Sequence, residues 1–293
     1  MRNSDRLSPM PVVPGIESGP KFGKKPLDRR ASMSSSLKCF QALELLAFPP
    51  YEFALTDIAT KLSLPVASAH RIMTTLCVAG EAERQGEPKR YRLTGRALWI
   101  GTGYLRRSAV YQAAFVVLQE MARKCHALGL CEALAYLATI DNDQVLYLHT
   151  VGNPTALALY ANTGERRPMH STGLGKALLA YQPRDVEERV LSRGLARTGP
   201  NTITSATALR EELSLIRRRS YSVDNEENVR GTRCVAAPII DQSGHAIAAV
   251  SVSAPVTSLL ENMLEPYSVI VREAALRVSV QVGFRPHTVA SKS

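Results

Sequence analysis

Three short runs of apolar residues at helical spacing lie between residues 36 and 79, and each predicts a short amphipathic helix. In the first run, the side chains expected to share one buried face are those of Cys39, Leu43, Leu46 and Ala47. Pro49 and Pro50 follow and are expected to end this helix. Thr56 is a suitable N-cap for the second helix, whose inward-facing residues are Ile58, Ala59 and Leu62.

The third run predicts a helix that Pro65 opens and that buries one narrow stripe of residues: Ala69, Ile72, Leu76 and Ala79. The opposite side of this helix carries the polar residues Ser68, His70, Arg71, Thr74 and Thr75. After Gly80, the segments EAER and KRYRL are typical of two strands joined by a turn over residues 85–89. Three helices followed by a β-hairpin indicate a winged helix-turn-helix domain, which we assign to residues 34–98.

The open face of the third helix carries side chains that can read DNA. Hydroxyl, imidazole and guanidinium groups there can reach base edges in the major groove, and cations on the hairpin can reach phosphates. The residues predicted to bind double-stranded operator DNA are Thr56, Ser68, His70, Arg71, Thr75, Lys89, Arg90 and Arg92. Winged helices also serve as protein-docking modules, and the pattern alone leaves that alternative open.

Beyond residue 98, the pattern predicts a linker helix over residues 99–122 and then an α/β domain over residues 123–283. The linker helix is expected to help pair two chains. Predicted strands of the α/β domain are LCEALAYLA, QVLYLHTV, ALALYAN, YSVD, RCVAAPIID and AIAAVSVSAP. Predicted helices are GLGKALLA, ATALREELSLIRRRS and a closing helix over residues 258–280. The predicted fold class of the whole chain is therefore α+β.

The excess of positive over negative residues is concentrated toward the start of the chain. Residues 1–33 hold seven Lys and Arg against three acidic residues, residues 34–98 hold eight against six, and residues 123–283 hold 17 against 16. This distribution favours a polyanion partner for the first part only. A solvated basic tail is the alternative, since residues 1–33 are rich in Pro, Gly, Ser and Lys and are expected to be disordered. Residues 284–293 are expected to form a second tail.

Composition excludes several classes of protein. No apolar run reaches the roughly 18 residues that a membrane-spanning helix needs, and the N-terminus lacks the apolar stretch of a secretory signal. We therefore expect a cytoplasmic protein with no membrane partner. The five cysteines form no CxxC pair and are odd in number, which favours reduced thiols over disulfides or structural zinc. We expect no cofactor and no metal ion.

Three stretches of the sequence resemble the IclR-type bacterial transcription regulators. These are LPVASAHRIMTTL (64–76), PMHSTGLGKALLA (168–180) and YSVDNEENVRGTRCVAAPIID (221–241), and the resemblance runs from about Ser35 to Gly283. It implies a winged helix-turn-helix domain, a linker helix and a C-terminal GAF-like domain that binds a small effector. It also implies a homodimer or homotetramer that binds palindromic operator DNA as a repressor or an activator.

The sequence departs from the family pattern at two places. Val66 and Ala67 stand where the family often has Lys and Ser, so the operator sequence cannot be transferred from relatives. Glu81 and Ala82 stand where the family tends to have an aromatic residue and Val. We therefore expect the first strand of the wing to pack loosely.

The candidate effector site combines a glycine turn with polar residues on strands. Gly173, Leu174 and Gly175 open a predicted helix, whose free N–H groups and dipole can attract a carboxylate. The two glycines are also expected to let a ligand approach the backbone closely. The resemblance implies that four further residues line the same pocket: Asp224, Cys234, Ser251 and Ser253. We therefore expect a small carboxylate effector, such as an aromatic or keto acid of a catabolic pathway.

Other interpretations of these residues remain open at this point. The serines are also compatible with hydrogen bonding inside a sheet, and Asp224 with a turn or helix cap. Arg167 lies next to the pocket segment and could attract an organic acid, but the sequence favours a solvated side chain there. A phosphate-binding loop at GLGK is excluded, because His170 replaces the first glycine of that motif and Ala177 replaces its hydroxyl.

An enzyme is the alternative from another class. The motifs GxSxG and HExxH are absent, and no His, Cys and Asp residues have metal-ligand spacing. Cys234 with His170 and Asp224 would be the thiol-dependent candidate, although nothing in the sequence brings His170 near the thiol. We predict that the chain is not an enzyme. A redox or protein-docking module without DNA binding is the remaining alternative.

Overall fold

The computed structural model describes residues 35–152 and 163–285, which form two compact units divided between Tyr104 and Leu105. The first unit contains α1 (Ser35–Leu46), α2 (Leu55–Lys61), α3 (Val66–Val78), β1 (Ala82–Gln85) and β2 (Arg90–Leu93). β1 and β2 form an antiparallel hairpin in which Ala82 pairs with Leu93 and Gln85 with Arg90. The architecture is a winged helix-turn-helix, with α2 and α3 as the two helices and the hairpin as the wing.

The core of the first unit lies between its three helices and the wing, and its most buried side chains include Ala42, Leu46, Phe53, Ile58, Ala69, Met73 and Tyr91. Three local predictions are wrong. Ala47 and Ala79 are exposed, because α1 and α3 end one residue earlier, and Met73 is a further buried residue of α3 that was not expected. Thr56 is not the N-cap of α2, since α2 begins after Ala54.

The first strand of the wing is well packed, so the expectation of loose packing is wrong. Ala82 is only 3% exposed and belongs to the core of the first unit. The Glu81 carboxylate accepts a hydrogen bond from Nε of Arg96 at 2.8 Å, and the Glu81 carbonyl accepts one from the Thr94 N–H at 3.0 Å. A small residue fits here because the hairpin lies directly against α3.

The predicted linker helix over residues 99–122 is two helices, α4 (Gly95–Arg107) and α5 (Ala109–Ala127). The break falls at Ser108, whose extended backbone and side-chain oxygen, accepting from the Tyr111 N–H at 3.2 Å, make it the N-cap of α5. No residue of α4 is buried, and its exposed apolar side chains are those of Leu98, Trp99, Ile100 and Tyr104.

Within residues 35–152 and 163–285, the second unit is built on a six-stranded antiparallel sheet. Its strands are β3 (Leu134–Asp141), β4 (Gln144–Gly152), β5 (Arg166–Pro168), β6 (Ser222–Asn225), β7 (Thr232–Ile240) and β8 (Ala246–Pro255). Their order across the sheet is β5-β4-β3-β8-β7-β6. Its later helices are α6 (Gly173–Leu179), α7 (Arg184–Ser192), α8 (Ala206–Arg219) and α9 (Leu264–Gln281). β5 and α7 were not predicted from the sequence.

Two apolar layers cover the two faces of this sheet. α5 and α9 pack on one face, whereas α6, α7 and α8 pack on the other. β7 and β8 are therefore buried on both faces, which explains their continuous runs of Val, Ile and Ala. The predicted closing helix is a short 3-10 turn, Glu261–Met263, followed by α9.

Some predictions lie outside the described residues. These are the N-terminal tail over residues 1–33, the strand ALALYAN, and the C-terminal tail apart from residues 284 and 285. Across residues 35–152 and 163–285, no helix is long and apolar enough to cross a membrane.

Candidate functional site

The polar face of α3 lies open on the first unit. His70, Arg71, Thr74 and Thr75 are exposed, and Ser68 is half-buried near the N-terminal end of the helix. This face is available because the buried residues of α3 all lie on its other side. The Thr75 hydroxyl donates to the Arg71 carbonyl within the helix at 2.9 Å, so it is already engaged. Thr56 is exposed in the first turn of α2.

The basic residues of the wing fall into two groups. Lys89 and Arg90 are exposed, and Nη1 of Arg90 makes only a long contact of 3.4 Å to the Glu52 carbonyl. Arg92 instead binds three neighbours: Glu83 at 2.7 Å, Gln85 at 2.7 Å and Glu52 at 3.4 Å. The guanidinium of Arg92 therefore stabilises the hairpin and is less available to DNA. Arg84 is a further exposed cation of the wing, on β1. It was not among the predicted DNA-binding residues, because only the strand register shows its orientation.

A cleft of about 520 Å³, which includes space open to solvent, lies in the second unit. Six of the seven predicted effector residues line it: Gly173, Leu174, Asp224, Cys234, Ser251 and Ser253. The other lining residues are Tyr136, Tyr147, Arg167, Thr172, Asn228, Val229 and Thr232. The two tyrosine rings meet edge to face, with centroids 5.3 Å apart.

The cleft extends across the sheet from one edge strand to the other. Arg167 lies on β5 at one edge, and Asp224 lies on β6 at the opposite edge. Between them, the cross-strand pairs place Ser251 beside Tyr136 and Ser253 beside Cys234. Because both edge residues line one cavity, the sheet is curled around it. The cleft therefore has a cation at one end, an acid at the other, and hydroxyls and aromatic rings between them.

The glycine turn contributes less to the cleft than predicted, because Gly175 does not line it. A Cβ atom at Gly175 would lie 2.3 Å from the Met169 carbonyl oxygen, so glycine is required there for packing. The Gly175 N–H is also engaged, since it donates to Oγ1 of Thr172 at 3.0 Å. At Gly173, by contrast, a Cβ atom would approach the Cys234 sulfur at 3.0 Å, at the wall of the cleft.

Asp224 both lines the cleft and holds the loop that follows β6. Its Oδ1 accepts hydrogen bonds from the N–H groups of Glu227 at 2.8 Å and Asn228 at 3.3 Å. Burial, and then the charge of Glu227, raise the pKa of the Asp224 carboxyl from 3.8 to about 7, although Lys176 opposes the shift. The carboxyl is therefore partly protonated at neutral pH and can donate as well as accept a hydrogen bond.

Lys176 forms a buried ion pair behind the cleft. Its Nζ is 2.5 Å from Oε1 of Glu227 and 2.6 Å from the Val223 carbonyl oxygen, and the Lys176 side chain is 1% exposed. A second carboxylate, Glu212 on α8, lies 3.8 Å away. The sequence shows Lys176 only as part of GLGK, and nothing in that pattern signals its burial.

The thiol-dependent enzyme finds no support in this geometry. Burial, and then the charge of Asp224, raise the pKa of the Cys234 thiol to about 12, so it is not a thiolate near neutral pH. Nε2 of His170 lies 3.0 Å from the Ala196 carbonyl oxygen, and His170 does not line the cleft. Among the described residues, no group of three His, Cys, Asp or Glu side chains is arranged to hold a metal ion.

Replacing Asp224 by Asn is expected to stabilise the protein increasingly as the pH rises from about 4 to 7. In the folded state Asp224 retains its proton up to about pH 7, whereas the unfolded chain releases it near 3.8, so raising the pH favours unfolding. Asn keeps the acceptor oxygen but does not ionise. Thermal unfolding of both proteins from pH 4.5 to 8 measures the difference.

The control is Asp185→Asn, on the exposed surface of α7. There the hydrogen bond from Arg189 lowers the pKa of the carboxyl. Asp185→Asn is therefore not expected to stabilise the protein increasingly as the pH rises. A melting-temperature difference for Asp224→Asn that is the same at pH 4.5 and pH 8 contradicts the assignment of a raised pKa to Asp224.

Comparison with known proteins matches both units to models of one protein family. The family model described as "Bacterial transcriptional regulator IclR C-terminal" matches residues 102–280, and the one described as "IclR helix-turn-helix domain" matches residues 37–86. The chain is 30% identical over 257 residues to the HTH-type transcriptional regulator KdgR of Escherichia coli (strain K12), across 87% of this chain and 95% of KdgR.

Solved structures agree with this match. The crystal structure of Thermotoga maritima IclR has a TM-score of 0.71 and 29% sequence identity, across 86% of this chain and 100% of that one. An IclR homolog from Microbacterium hydrocarbonoxydans, crystallised in complex with 4-hydroxybenzoate, has a TM-score of 0.72 and 28% identity. That match covers 85% of this chain and 99% of the homolog.

Proposed function

The chain belongs to the IclR family of bacterial DNA-binding transcription regulators, and from that premise we propose that a small organic acid in its cleft modulates its binding to operator DNA. Members of this family are transcriptional regulators and not enzymes.

For DNA, the proposed base-reading residues are Ser68, His70 and Arg71, which lie toward the N-terminal end of the open face of α3. Exposed cations of the wing, Arg84, Lys89 and Arg90, are proposed to contact phosphates. The exposed apolar side chains of α4 support pairing of two chains, which would present two α3 helices to two half-sites.

For the effector, the supporting observation is a buried polar group that faces the cleft without a strong partner. The Ser251 hydroxyl is buried, lies beside the Cys234 thiol, and has no hydrogen bond to a nitrogen or oxygen atom of the described residues. Such a group costs free energy unless a bound molecule or water satisfies it. With two tyrosine rings and several hydroxyls nearby, the cleft suits a small acid that also bears a ring or a keto or hydroxyl group.

Thermal unfolding of the full chain with a panel of small molecules tests this proposal. The acids are benzoate, 4-hydroxybenzoate, pyruvate and 2-oxoglutarate, and the corresponding primary amides are the matched neutral compounds. An acid that binds only the folded protein must raise the melting temperature in a concentration-dependent way. If no acid raises the melting temperature, or if an amide raises it as much as the corresponding acid, the proposed effector class is wrong.

A further inference from the structure

We propose that Arg167 selects the effector by binding its carboxylate, an inference that rests on the proposed function of the cleft. Arg167 is the cationic residue among those that line the cleft, and it lies on β5, the edge strand opposite Asp224. Its side chain is 33% exposed, so two-thirds of it is buried in the cleft wall. It is therefore not the solvated arginine considered from the sequence.

The guanidinium of Arg167 is only partly satisfied inside the protein. Its Nη2 forms an ion pair with Oε1 of Glu165, two residues earlier in the chain. Its Nε is buried and has no hydrogen-bond partner among the described residues. Nε and Nη2 form one edge of the guanidinium, and a carboxylate can bind that edge with two parallel hydrogen bonds. An effector carboxylate that displaces Glu165 would gain both bonds.

Other candidate seats for a carboxylate are weaker. α6 has only seven residues, and its Gly175 N–H is already bound to Thr172. Lys176 is close to Asp224 but is held by Glu227 and the Val223 carbonyl. At the Asp224 end, an incoming anion would also meet the carboxyl group of Asp224, which disfavours it once that group ionises.

The arrangement therefore fixes the orientation of the ligand. Its carboxylate lies at the β5 edge, on Arg167, and its uncharged end points across the sheet toward Ser251 and Asp224. Tyr147 lies on β4, the strand next to β5, and its side chain lines the cleft between these ends. The selected ligand class is a monocarboxylate with a hydrogen-bonding group at its far end.

The test measures binding by calorimetry of the full chain, with the acid of the panel that raises the melting temperature most and with the corresponding primary amide. Arg167→Gln is expected to weaken binding of the acid by roughly 10- to 100-fold and to remove the preference for acid over amide. Glu165→Gln is expected to strengthen binding of the acid by a few fold, because the competing carboxylate is gone.

Arg166→Gln is the matched control on the same strand. The Arg166 guanidinium binds Asp141 at 2.5 Å and does not line the cleft, so acid binding should stay unchanged. If Arg167→Gln folds and binds the acid as tightly as the wild type, the role of Arg167 is wrong while the proposed function stands. If the wild type itself binds no acid of the panel, both the proposed function and this inference are contradicted.

Discussion

Replacing Lys176 by Met is expected to lower the free energy of unfolding by about 3–5 kcal/mol, because it leaves a buried carboxylate without its cation. Lys176 is 1% exposed, and its partner Glu227 is 9% exposed at the side chain. The second oxygen of Glu227 is buried without any partner among the described residues, so it has little else to stabilise its charge. Urea denaturation followed by circular dichroism measures the loss.

Lys124→Met provides the matched control for this measurement. Lys124 and Glu273 form a pair at 2.8 Å with side chains that are 46% and 51% exposed, so losing that pair should cost less than about 1 kcal/mol. The double substitution Lys176→Met with Glu227→Leu should recover much of the loss, since it removes the unpaired charge as well. Equal effects of Lys176→Met and Lys124→Met would contradict the buried ion pair.

Replacing Arg71 by Ala is expected to weaken binding to the operator by about 10- to 100-fold while changing binding to random DNA little. Arg71 is exposed on the open face of α3, and a guanidinium there can bind the two acceptors of a guanine edge. Fluorescence anisotropy with both duplexes at one fixed salt concentration measures the change, because affinities at different salt concentrations are not comparable.

Lys89→Ala separates base reading from phosphate binding. Lys89 is an exposed residue at the turn of the wing, and its loss should weaken binding to operator and random DNA equally and flatten the salt dependence. If Arg71→Ala also weakens both duplexes equally, then Arg71 contacts only phosphate and the proposed base-reading role is wrong.

Much of the first unit could be predicted from the sequence, because its helices are amphipathic and its burial follows their period. The polar face of α3 and its buried stripe follow from the spacing of Ala69, Ile72 and Leu76. The helix predictions that are wrong in this unit concern residues at helix ends, because they depend on where a helix begins or stops. α3 ends at Val78, so Ala79 lies beyond the helical period while Met73 fills the core.

The cleft could be predicted only in part, because its residues come from strands far apart in the sequence. Ser251 and Ser253 are two residues apart on one strand, so the two-residue period of a strand predicts that they share a face of the sheet. Nothing local shows that Arg167 lies on an edge strand, since β5 has only three residues. The pairing of Lys176 with Glu227 spans 51 residues and depends on the packing of α6 against the β6–β7 loop.

The role of Gly175 could not be predicted from its residue type. From the sequence, it was expected to let a ligand approach the backbone closely. In the structure, it lets the start of α6 pack against Met169, whose carbonyl oxygen would lie 2.3 Å from an added Cβ atom. Both roles require glycine, so the sequence pattern cannot distinguish between them.

The central claim is that occupancy of the cleft in the second unit changes how strongly the first unit binds its operator. The most direct test is an anisotropy titration of the full chain on the DNA beside its own gene, with and without an acid that raises the melting temperature. We predict a several-fold change in the operator Kd and no change on a scrambled duplex. An operator Kd that is the same in both conditions, or equal to that for scrambled DNA, would contradict the account.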